Sequence, residues 1–174
     1  MRVAMLNNPV VVLDPNMAGG VERVALFEVE HLAKRGVEAR YFVRGEVSPH
    51  PNVEAMKGFK FGGDFGRNYY EWFEGLSRDY DIQHGHNTPL LAVISKHPRP
   101  LIHIHNLMSL PYYEVASAKY RRCSFAFCSD FIRGRFLADH PDLPPGRCHT
   151  IHNGIDLRMF RAGERVSGRG GRLR

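Results

Sequence analysis

Residues 19–43 read GGVERVALFEVEHLAKRGVEARYFV, and this stretch decides the fold. Val21, Ala25, Val29 and Leu32 fall at spacings of four, four and three, with Val24 and Ala33 widening the stripe. That spacing predicts an amphipathic helix. Glu22 stands in its first turn and Lys34-Arg35 in its last, each matched to the helix dipole. Gly36 is placed to stop it. A strand, Val37–Val43, follows at once, and upstream Arg2–Leu6 is a short apolar strand whose loop ends at Gly19-Gly20. Strand, helix, strand in this order closes as a right-handed crossover between parallel strands.

The same alternation runs on. A third strand is expected within Asn52–Phe59, an aromatic helix over Phe65–Tyr80, a strand at Asp81–His86 and a short helix at Pro89–Lys96. Pro100–His105 reads as a strand, Leu110–Tyr120 as a helix and Ser124–Cys128 as a strand. Ser129 reads as the N-cap of a helix reaching Asp139, and Cys148–His152 as the last strand before the turn His152-Asn153-Gly154. The expected fold is α/β: a doubly wound, mostly parallel, Rossmann-like sheet with helices on both faces. Such sheets bind ligands beyond the carboxyl ends of their strands. The informative residues are then those just after each strand: Gly19, Gly20, Val21 and Glu22, His86 and Asn87, His105 and Asn106, Ser129 and Asp130, and Asn153 with Gly154.

Composition narrows the classes. The chain has 174 residues, of which 43% are hydrophobic and 24% charged, which suits one globular domain and excludes a disordered chain. No apolar run approaches the roughly 20 residues of a spanning helix. The amino-terminal run is cut by Asn7-Asn8-Pro9, so no signal peptide is expected. Residues 161–174 hold five Arg and one Glu, leaving residues 1–160 with nineteen basic against seventeen acidic. A nearly neutral body argues against nucleic acid as a partner, whereas the basic tail suits peripheral contact with an anionic membrane. Three cysteines without a C-x-x-C pair fit a reducing, cytoplasmic setting, at most peripheral to the inner face of the membrane.

Each candidate has two readings. Gly19-Gly20 opens a helix whose first N–H groups can receive a phosphate, or it is a turn needing positive φ. His84 with His86, and His103 with His105, are i,i+2 pairs, so each pair shares a sheet face. Four imidazoles cluster if the strands are neighbours, but no carboxylate with ligand spacing stands beside either pair, so no metal is expected. Instead His84 and His103 are expected to be partly buried, with His86 and His105 facing the cleft, where an imidazole can bind sugar hydroxyls or act as acid or base. Ser129 suffices as a helix cap, outside any G-x-S-x-G elbow. Asn153-Gly154 suits a tight turn with positive φ, and Asp156 a cap for a short helix through Phe160. Phe65, Tyr69, Trp72 and Phe73 make either a core stripe or, with Arg67 and Arg78, an interfacial helix.

Taken together, GGVERVALFEVEHLAKRGVEARYFV, DIQHGH, PLIHIHN, FAFCSDFIRGRFL and HNGIDLRMF resemble the amino-terminal domain of retaining glycosyltransferases of family 4, over Arg2 to about Phe160. The resemblance implies one half of the two-domain GT-B architecture, with residues 1–160 as the acceptor-side domain. Residues 161–174 would be a basic interdomain linker or the start of a donor-binding domain. It implies sugar transfer from a nucleotide sugar, as co-substrate, to a carbohydrate, lipid-linked or polyol acceptor, with retention and without a metal or other cofactor. Gly19 and Gly20 would lie near the donor diphosphate and His105 would contact the donor sugar. His86, Ser129, Asn153 and Gly154 would border the cleft. The family's donor-gripping Arg and Lys and its paired glutamates belong to the carboxy-terminal domain, so the 174 residues alone are expected not to turn over. Two other readings stand beside this one: half of a GT-B-like sugar-nucleotide epimerase, and a non-catalytic Rossmann-like interaction domain.

Overall fold

The computed structural model describes residues 1–8, 19–45, 50–56, 65–107 and 122–154, and for 65–67 the backbone alone. The described strands are β1 (Arg2–Leu6), β2 (Glu38–Arg44), β3 (Val53–Met56), β4 (Ile82–His86), β5 (Pro100–Ile104), β6 (Ser124–Phe127) and β7 (Cys148–Thr150). The α-helices are α1 (Gly20–Lys34), α2 (Phe65–Ser77), α3 (Pro89–Ile94) and α4 (Asp130–Asp139). The strands form one sheet in the order β3-β2-β1-β4-β5-β6-β7, and every neighbouring pair is parallel. The doubly wound α/β fold read from the sequence is therefore the observed one. The expected helix over residues 110–120, the end of the third strand and the helix after Asp156 lie outside the described residues.

Strand alternation sorts the core into two layers. On one face Ala4, Leu6, Phe42, Ile102, Ile104, Phe125 and Phe127 pack with α2, α3 and α4 through Tyr69, Phe73, Leu91 and Phe136. On the other face Val3, Met5, Ala39, Tyr41 and Val43 pack against Ala25 and Val29 of α1. Within the aromatic stripe of α2, Tyr69 and Phe73 are fully buried and Trp72 is packed against the cluster, so these three are core; the Phe65 side chain lies outside the described residues.

Local chemistry sets the helix ends. Gly36 has φ +75 and donates its N–H to the Ala33 carbonyl, while Val37 donates to Leu32, so α1 ends where the sequence places its stop. The Ser129 side chain accepts the Ile132 N–H at 3.3 Å, capping α4 as read. Two turn readings are overturned. Gly19 has φ −66 and Gly20 is already helical, so neither needs positive φ. Asn153 and Gly154 also have no positive φ, so the tight turn read there is not made in that conformation.

Candidate functional site at the carboxyl rim

Strand order reverses between β1 and β4, since β2 lies to one side of β1 and β5 lies beyond β4. In an open parallel sheet that reversal marks the ligand crevice, at the carboxyl ends of the two strands. Asn7 and Asn8 follow β1, and Asn87 follows β4. Asn8 Nδ2 donates to the Asn87 carbonyl at 3.4 Å, so the two strand ends are tied across the reversal. Asn7 is fully buried, and neither its carboxamide nitrogen nor its oxygen has a partner among the described residues. Leaving such atoms unpaired costs about 1–3 kcal/mol each, which favours a polar ligand there.

Asn87 is the one non-glycine described residue with positive φ, at 49°. Its backbone N–H reaches the His103 carbonyl at 2.8 Å, and its Oδ1 accepts the His105 N–H at 2.8 Å. Asn tolerates this conformation better than most residues, and side-chain bonding to the next strand holds it there. Gly85, one residue before His86, is needed for a close approach: a Cβ there would run into Thr88 Oγ1 and Leu91.

Helix α1 starts on the same rim. Gly19 is its N-cap with no side-chain hydrogen bond, and the first-turn N–H groups of a helix have no partner within it. Gly19 and Gly20 are exposed, and a Cβ built on Gly20 meets nothing within 4 Å. Glu22 is buried, and a Cβ on Gly19 would touch its carboxylate. Asn106, Asn153 and Gly154 are exposed on this rim and Ser129 is half-buried, its oxygen already used as the cap.

The histidines differ from expectation. All four rings lie on the α1 face and all four are buried: His86 at 0% exposure, His84 at 3%, His103 at 4% and His105 at 6%. The anticipated split, with His86 and His105 open to the cleft, does not hold. The reason is that His86 pairs in register with His103, so both pairs fall on one face, beneath α1. The rings pack at centroid distances of 4.0 Å for His103–His105 and 4.3 Å for His84–His86. His86 Nδ1 lies 3.0 Å from His105 Nε2. The nearby groove, of about 550 Å³, runs beside α1 and is lined by Val24, Phe27, Glu28, His103, Asn153 and Gly154, rather than by His105 and Gly19-Gly20.

The carboxylate that no local spacing announced is Glu28, which α1 lays across the strands. Its Oε1 is 3.1 Å from His84 Nδ1 and its Oε2 3.7 Å from His86 Nε2. Burial raises the Glu28 carboxyl, but the hydrogen-bonded His84, with His103 and His105 behind it, outweighs burial and the net shift is downward. Burial and the neighbouring rings hold His86 well below the usual imidazole range. Burial, His105 and His84 bring His103 down to about 3, against the opposing pull of Glu28 and the Ile151 backbone. Burial and His84 bring His105 down to about 4, with Asn153 and Glu28 pulling the other way. These three rings are neutral at pH 7.

A second groove, of about 700 Å³, is lined by Glu71, Glu74, Arg78, Lys96 and His97 at the amino-terminal rim. It lies at the far end of the strands from the reversal crevice, whereas open parallel sheets bind ligands beyond the carboxyl ends of their strands. Among the described residues no helix is long and apolar enough to cross a membrane.

A parallel, doubly wound seven-stranded sheet with helices packed on its faces defines a domain of the Rossmann-like class. A family model, Glycosyltransferase Family 4, matches residues 18–158, most of the chain, and the chain belongs to that family. Among curated proteins, none matches it.

Proposed function

We propose that this chain is the acceptor-side half of a retaining glycosyltransferase that moves a sugar from a nucleotide sugar to a glycan, glycolipid or polyol. The observation that carries the reading is the open amino terminus of α1, at Gly19-Gly20, on the same rim as the strand-order reversal. Backbone N–H groups at a helix start complement a diphosphate, and missing side chains let it come close. Stabilising the leaving diphosphate is the main electrostatic task of the reaction. The exposed Asn106, Asn153 and Gly154 supply polar contacts around the crevice, and Asn7 adds an unused carboxamide.

His105 enters this scheme at low exposure. Its ring is neutral at pH 7, which suits a hydrogen bond to a sugar hydroxyl better than an ion pair with a phosphate. Residues 1–160 form the acceptor-side domain in this reading, and 161–174 the basic lead toward a donor-binding domain. Closure of the two domains would exclude water from the reacting sugar. Support for a membrane-surface acceptor now rests on the basic tail, because the aromatic stripe of α2 is core. The free thiols of Cys123, Cys128 and Cys148 suit a cytoplasmic setting.

The test is a pair of titrations on the 174-residue chain, with a panel of glycan and lipid-linked acceptors and with nucleotide sugars, followed by a transfer assay. The expected outcome is acceptor binding, weak or absent donor binding, and no turnover. Robust transfer or nucleotide-sugar hydrolysis, lost in His105→Ala, would overturn the division of labour.

A further inference from the structure

We propose that Glu28, His84, His86 and His103 form a structural site for one divalent transition-metal ion of the zinc type, clamping helix α1 to strands β4 and β5. One ligand atom from each of these four residues falls within 4.8 Å of the other three. Imidazole nitrogen with a carboxylate oxygen is a donor set that suits zinc and its neighbours in the first row.

Three observations point to an ion rather than to a packed core. First, His86 Nε2 and His103 Nε2 are buried and have no hydrogen-bond partner among the described residues. Second, the Glu28 carboxylate already faces two of the rings, at 3.1 and 3.7 Å. Ligand atoms around a tetrahedral zinc, with Zn–N of about 2.0–2.1 Å, stand about 3.3 Å apart, so these two spacings already bracket the required edge. The wider pairs, at up to 4.8 Å, close by as much as about 1.5 Å through ring rotation about χ2. Third, the rings have orienting partners behind them. His86 turns its other nitrogen to His105 at 3.0 Å, and the Ile151 backbone faces His103. Partners of that kind fix the tautomer and aim of a ligating imidazole.

The ion's place in the fold follows from the four positions. All of them are protein atoms, and a site with no open position is structural rather than catalytic. The ion would tie the helix that carries Gly19-Gly20 to the two strands that end in Asn87 and His105. It takes no part in sugar transfer, so the proposal is independent of which sugar the rim handles. The groove beside α1, lined by Glu28 and His103, gives the ion its way in.

Stripping the full chain with a chelator and titrating Co²⁺ tests this directly. The expected result is one equivalent bound with the strong visible absorption of tetrahedral cobalt, displaced by Zn²⁺, and a rise in Tm on adding Zn²⁺. Glu28→Gln, isosteric and on a partly exposed helix position, should weaken binding at least about 100-fold, the upper end of what loss of a mere orienting partner costs. The exposed His149→Ala should leave it unchanged. A weak octahedral spectrum in the unaltered chain would overturn the site, as would Glu28→Gln binding like the parent or His149→Ala losing binding equally. The spectrum of the unaltered chain decides the matter even if a variant fails to fold.

Discussion

Asn87 carries more of this molecule than its place in the sequence suggests. It adopts positive φ and caps the His105 N–H, so one side chain sets the ends of both β4 and β5. Asn87→Ala should cost about 1–3 kcal/mol, from the N–H left unpaired and the added backbone strain, read as a shift in the urea midpoint with m unchanged. Asn87→Gly should recover part of that, because only the strain is relieved. Gly20 is the opposite case. A Cβ there meets nothing and its φ is ordinary, so Gly20→Ala should leave stability within about 0.5 kcal/mol. The same change should weaken ligand binding at the rim, and a Gly20→Ala chain that binds as tightly as the parent would remove Gly20 from the site.

At the scale of elements, helix α1 is legible in the sequence almost residue by residue. Its apolar spacing, its acidic first turn and the Gly36 stop are all local signals, and the helix runs Gly20–Lys34 with Gly36 at φ +75. The Ser129 cap is local too. The histidine face is half legible. The i,i+2 pairs give the shared face, but which strands neighbour each other, and what covers them, depends on register and on a helix from far upstream. Hence sequence reasoning places Asn87 at the strand end but not its positive φ or its bond to His105, misses Glu28 beside the rings, and misjudges the exposure of His86 and His105. Asn7 does carry a signal that such reasoning overlooks, since it directly follows the first strand. For α2 the alternation of Tyr69, Trp72 and Phe73 fits core, and Phe73→Ala should cost about 3–5 kcal/mol in thermal or urea unfolding. A loss under about 1 kcal/mol would mean that the stripe is not the packed core described.

For the whole molecule, the neutral buried imidazoles predict acid lability. His103 and His105 sit at about 3 and about 4 in the folded state, and His86 is also well below its usual range. An unfolded imidazole titrates near about 6.5, so between these limits the unfolded chain binds more protons. The stability the three rings contribute is complete above about pH 6.5 and is lost as pH falls toward the folded values. A tenfold difference in proton affinity between folded and unfolded chain is worth about 1.4 kcal/mol, so the metal-free chain should lose on the order of a few kcal/mol between about pH 7 and pH 4. Urea midpoints that stay flat over that range would contradict the buried cluster.

At this scale the fold also predicts which end of the sheet binds ligand. Amide chemical-shift mapping decides it, with a nucleoside diphosphate and then an acceptor glycan added to the labelled chain. Binding at the carboxyl rim predicts shifts at Gly19, Gly20, Asn87, Asn106, Asn153 and Gly154. Shifts gathered instead around Glu74, Lys96 and His97 would contradict it.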